Sequence, residues 1–93
     1  MRPKKQRRIG YCPRCNYFKP RGIPLRKLGE VNLAIDELEA LRLADLGGVE
    51  QIKAAEKMNI SQSTFQRILA LAHKKTAEAL LMGKAIKIEK IGD

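Results

Sequence analysis

Within the 93-residue chain, the stretch Gln51 to Ile68 constrains the fold most, because it contains a sharp turn that few residue types allow. Ala54, Ala55 and Met58 recur at helical spacing and mark the apolar side of a short helix; the small Ala55 lets a second helix cross close by. Asn59 tolerates the left-handed conformation that such a turn needs, Ile60 supplies an apolar corner, and Ser61 is a strong N-cap. A second helix then buries Phe65 and Ile68. The pattern predicts a helix-turn-helix with Gln62, Ser63, Gln66 and Arg67 turned outward early in the second helix, where a recognition helix meets base edges in the major groove. The bland alternative is a structural hairpin with a solvated polar face. Gln, Ser, Gln and Arg in place of Glu and Lys favour the groove-facing reading.

The flanking segments supply the rest of a helical core. Asp36 with Glu39 three residues on reads as a capping-box start, and Leu38, Leu41, Leu43, Ala44 and Leu46 give that helix a broad apolar surface ended by Gly47-Gly48. Glu39 and Asp45 read as solvated-face residues. Phe65, Ile68, Leu69, Ala72, Thr76, Ala79 and Leu80 keep one face, so the second helix of the motif is expected to run to Met82 and stop at Gly83. Beyond it, Ile86 and Ile88 alternate with polar residues as in a short half-buried strand. The expected fold is therefore mainly α: a three- to four-helix helix-turn-helix domain with an extended basic N-terminal segment and a short C-terminal β-strand. Its expected divisions are 1–28, 29–83 and 84–93.

Charge points to a polyanionic partner. The chain carries 19 Lys and Arg against 10 Asp and Glu, a net charge of +9. Residues 1–28 hold 10 of the basic residues and no acid, residues 29–60 hold 3 basic and 7 acidic, and residues 61–93 hold 6 and 3. A basic arm and a basic recognition helix thus flank an acidic scaffold, the layout expected of a protein on double-stranded DNA. Arg2, Lys4, Lys5, Arg7 and Arg8 are candidates for phosphate contacts, the alternative being a solubilising tail. Ser61, Thr64 and Lys74 are the corresponding candidates in and beyond the motif. No apolar run approaches a membrane span and no apolar signal core follows the N-terminus, so a soluble cytoplasmic protein is expected. With no nucleophile and base pair, no Gly-rich phosphate loop and a single His, the sequence contains nothing that reads as an enzyme site.

Cys12 and Cys15 form a Cys-x-x-Cys, a common half of a tetrahedral zinc or iron site. Four ligands are needed, and the only other soft donor is His73. Closure requires a second chain or a ligand from elsewhere; otherwise the two cysteines are reduced thiols in a turn. The next segment, Tyr17 to Leu25, mixes aromatics with Pro20, Gly22 and Pro24, which forbids a helix and predicts an extended run laying Phe18, Ile23 and Leu25 on the core, with Arg21, Arg26 and Lys27 outside. The C-terminal strand needs a partner. It pairs either with this extended segment or with its copy in a second chain, and a homodimer through residues 83–91, the N-terminal segment, or both would also unite two Cys-x-x-Cys halves.

The stretch Leu38 to Leu80, with Leu-Glu-Ala-Leu-Arg-Leu-Ala-Asp-Leu-Gly-Gly and then Ala-Ala-Glu-Lys-Met-Asn-Ile-Ser-Gln-Ser-Thr-Phe-Gln-Arg-Ile-Leu, resembles the helix-turn-helix of sigma-factor region 4. Tyr17-Phe18-Lys19-Pro20, Gly22-Ile23-Pro24-Leu25 and Asp36 to Asp45 resemble more narrowly the small prokaryotic family catalogued as domain of unknown function 134, over nearly the full length. That resemblance implies a DNA-binding fold, and the sigma-like part implies RNA polymerase as a further candidate partner. Asn59 stands where the sigma-like motif often has Gly, and no region-2-like segment is present, so a complete sigma factor is not expected. The two functional expectations are a sequence-specific double-stranded DNA binder acting in transcription regulation, and a protein-interaction or RNA-associated module that keeps the fold without reading bases.

Overall fold

The computed structural model describes residues 16–89, apart from the side chain of Leu25. The order is strand β1 (Tyr17–Phe18), a 3-10 turn (Leu25–Lys27), strand β2 (Glu30–Leu33), helix α1 (Ile35–Leu41) running into a π-helical turn (Arg42–Leu46), helix α2 (Gln51–Met58), helix α3 (Gln62–Met82) and strand β3 (Ala85–Ile88). The fold is mainly helical with a small three-stranded sheet. The expected boundaries of the two helices at the central turn hold, as does the stop at Gly83, which adopts φ +67° and closes α3.

The sheet corrects one expectation. β3 lies between β1 and β2, antiparallel to the first and parallel to the second. Its backbone is therefore paired on both sides within the chain, and an unpaired strand no longer argues for a second copy. β2 itself is not expected from the sequence, although its alternation is clear in place: Val31 and Leu33 are buried while Glu30 and Asn32 face out. On the outer face Tyr17 donates a hydrogen bond to Glu30 at 2.7 Å across the central strand. That bond and the neighbouring carboxylate raise the Tyr17 phenol above its ordinary range.

Two packed clusters hold the helices. Ala40, Leu43, Ala54, Ala55, Met58, Phe65 and Leu69 form the first, with Val49, Ile60 and Ile68 against it. Leu33, Ala72 and Ile88 form the second, joined by Ile35, Leu38 and Ile86, and attach the sheet to α3. The start of α1 lies earlier than expected. Its N-cap is Ala34, whose N–H donates to Glu37 Oε1 at 2.9 Å, so Glu37 performs the reach-back expected of Glu39. Glu39 is not a solvated residue: it is buried and pairs with Arg42 at 2.7 Å. Leu46, Leu80 and Phe18, all expected in the core, are 85%, 75% and 53% exposed. For Leu46 the cause is the π turn, which widens the helix and takes later residues out of the 3.6-residue period that aims Leu38 and Leu41 inward. Ile23 is half-buried, and Arg21, Arg26 and Lys27 are exposed as expected.

Candidate nucleic-acid interface

The site begins with the turn between α2 and α3. Asn59 takes φ 60° and ψ 45°, and its N–H reaches Glu56 O at 3.0 Å while Ile60 N–H reaches Ala55 O at 3.0 Å. These two bonds satisfy the last carbonyls of α2 and reverse the chain in two residues. Met58 and Phe65, on either side of the reversal, are both 0% exposed, and Ala55, 3% exposed, leaves room for α3 to cross. Burial on one side dictates exposure on the other. Gln62, Ser63, Gln66 and Arg67 are all exposed on the first two turns of α3.

The start of α3 is built from hydroxyls. Ser61 is the N-cap, and its Oγ accepts the Thr64 N–H at 3.1 Å. The same hydroxyl donates to Thr64 Oγ1 at 2.9 Å and lies 3.3 Å from Ser63 Oγ. Arg67 Nη2 in turn donates to Thr64 Oγ1 at 3.3 Å, which draws the guanidinium toward the helix start. No acidic residue lies in the first turn. The partial positive charge of the helix N-terminus and the Arg67 cation therefore act in one direction, favouring an anion or an acceptor-rich base edge there.

Lys74 is exposed two turns beyond Arg67 on the same helix. Sequence reasoning missed Lys53 and Lys57, which are exposed one turn apart on α2. Their signal was present, since two cations four residues apart share a helix face, but the acidic balance of residues 29–60 hid it. His73, considered as a metal donor, instead pairs its Nε2 with Asp45 at 2.7 Å. Among the described residues no group of three or more His, Cys, Asp or Glu side chains is placed to hold a metal. Arg2, Lys4, Lys5, Arg7, Arg8, Cys12 and Cys15 lie outside the described residues. No described helix is long and apolar enough to cross a membrane.

The full chain, residues 1–93, matches the family described as protein of unknown function DUF134. The chain belongs to that family. This DUF134 member is 58% identical over 88 residues to a UPF0251 protein of Desulforudis audaxviator, covering 95% of this chain and 58% of the relative. It is 53% identical to a UPF0251 protein of Halothermothrix orenii and 57% identical to one of Dehalococcoides mccartyi, again over 95% of this chain and over 65% and 75% of those proteins. The DUF134 chain thus spans about three fifths of the length of the first two relatives. No solved structure matches it.

Proposed function

We propose that the protein binds double-stranded DNA sequence-specifically and regulates transcription in the cytoplasm, reading the major groove with the helix that starts after Ser61. The observation that carries this reading is the exposed row Gln62, Ser63, Gln66 and Arg67 on the first turns of α3, whose opposite side is locked to α2 by Met58 and Phe65. A helix end can enter a groove only if it stands proud of its scaffold and presents side chains able to pair with bases. Gln suits adenine and Arg suits guanine, each by a bidentate contact. Thr64 and Ser61 hydroxyls and the basic arm Arg2 to Arg8 serve the phosphates, and Lys53 and Lys57 add to them from α2.

A protein-docking role is the second reading, favoured by Leu46 and Ile52, which are 85% and 56% exposed around the Gly47-Gly48 turn. RNA polymerase is a candidate occupant of that surface. Gel-shift competition at one fixed salt concentration between a random duplex pool, single-stranded DNA and structured RNA separates the readings, because salt sets the non-specific background. The proposal expects duplex to compete best and a defined duplex to be enriched from the pool. No shift beyond the salt-sensitive background with any of the three, and no enriched duplex, supports the docking role, and best competition by structured RNA supports an RNA-associated one.

A further inference from the structure

The outward side of the second half of α3 has a spacing that is the same from both ends, with the two charges inside it opposite in sign. Leu71, Lys74, Glu78 and Leu81 follow at intervals of three, four and three residues, with Met82 beside the last. At about 100° per residue all five fall within roughly 100° of the helix circumference. Leu71, Leu81 and Met82 are 45%, 84% and 67% exposed, while Phe65, Ala72 and Ala79 turn the other side of the helix to the core. Three large apolar side chains broken by one cation and one anion make a helix seam rather than a solvated face.

We propose that this stripe is a docking surface for a second copy of the chain, with the two α3 helices antiparallel about a two-fold axis level with Thr76. A two-fold contact requires that if one position meets another, the reverse contact also forms. The order apolar, basic, acidic, apolar meets this condition with the helices antiparallel: Leu71 packs on Leu81 of the partner subunit, and Lys74 pairs with Glu78 of the partner subunit, each contact occurring twice. A parallel pair in register would instead set cation against cation and carboxylate against carboxylate. Glu78 already receives Lys84 on Oε2 at 2.6 Å, which leaves Oε1 for the second cation.

The arrangement has a consequence for DNA that rests on the function proposed above. Gln62, Ser63, Gln66 and Arg67 centre about 12 residues from the axis, and a rise of ~1.5 Å per residue sets the two reading segments about 35 Å apart. Half-sites one turn of duplex apart are separated by roughly 34 to 36 Å, about 10 bp. The reading face centres about a quarter of the circumference from the stripe, with Gln62 and Gln66 outside the stripe's arc and Ser63 and Arg67 in line with it on earlier turns. In an antiparallel pair the two-fold axis is perpendicular to the plane of the helices, so both reading faces point the same way along it.

Sedimentation equilibrium of the full chain at tens of micromolar, with a metal chelator present, tests the surface without DNA. The wild type is expected to be a dimer. L71E alone and L81K alone are expected to weaken it by about a hundredfold or more, with helix content unchanged because both positions are exposed and with the unfolding midpoint falling to a value that no longer depends on protein concentration. The double variant L71E/L81K should recover the dimer, since each introduced carboxylate then faces an introduced ammonium of the other chain. Within one chain those positions are about 15 Å apart along the helix and do not pair. A monomeric wild type, dimeric single variants, or a monomeric double variant would each overturn the proposal. None of these results touches base reading, which fails separately if an Arg67 variant keeps the parent's sequence preference.

Discussion

Lys75 Nζ donates to Glu37 Oε1 at 2.8 Å, joining the middle of α3 to the start of α1. The same oxygen accepts the Ala34 N–H at 2.9 Å, and the Glu37 side chain is 7% exposed. One carboxylate thus caps a helix and anchors the helix that carries the candidate interface. Glu37→Ala removes the cap and leaves Lys75 half-buried without its partner. A stability loss of about 3 kcal/mol is expected, toward the low end for a broken buried pair because Lys75 keeps some access to water. Urea unfolding followed by circular dichroism measures it; a loss under about 1 kcal/mol would show the pair to be incidental.

Asn59 at φ 60° sets the angle between α2 and α3. Asn59→Gly should leave stability within a few tenths of a kcal/mol or raise it, whereas Asn59→Val should cost about 1 to 2 kcal/mol, since a β-branched side chain is strained there. Thermal unfolding of the two variants compares them directly. Equal midpoints would mean that the turn is not held in the left-handed conformation.

The turn and both its helices were legible in the sequence because their determinants are local. Asn59, Ser61 and Gly83 act on residues within one helical turn of themselves, and the row Gln62 to Arg67 follows from the burial of Phe65. The sheet was not legible for the opposite reason. β2 is four residues long and gains its place only by lying parallel to β3, more than fifty residues later. Burial of single side chains was read less well than helix position. Leu46 and Leu80 have the composition of core residues but face outward, Leu46 because of the π turn and Leu80 about 100° round the helix from its buried neighbour Ala79. Glu39 has the composition of a surface residue and is buried because Arg42, one turn later, neutralises it.

Near the end of α3, the bond from Lys84 holds the Glu78 carboxyl below its ordinary range, with Lys74 adding to the effect. A carboxylate whose proton affinity is lowered by folding stabilises the fold above its unfolded-state value, and that contribution is lost as pH falls through the folded-state value. Lys84→Met should therefore move the Glu78 midpoint upward toward that of a free glutamate. Carboxyl carbon shifts followed by NMR from neutral to acid pH measure the change. An unmoved midpoint would assign the shift to another cause.

Deleting residues 1–8 removes Arg2, Lys4, Lys5, Arg7 and Arg8. Affinity for all duplexes should fall alike, and the slope of log affinity against log salt should become shallower by about 0.9 for each phosphate that the arm no longer neutralises. Binding isotherms at four or more salt concentrations give the slope. If it stays the same, the arm is a solubilising tail.

The central claim is that the start of α3 reads bases. Its most direct test is selection of a preferred duplex from a random pool by the wild type, Gln66→Ala and Arg67→Ala at one fixed salt concentration. Each substitution should relax preference at one base position per half-site while leaving the others, a loss of about 1 to 3 kcal/mol of discrimination there. Identical preferences for all three proteins, or no preference for any, would contradict it.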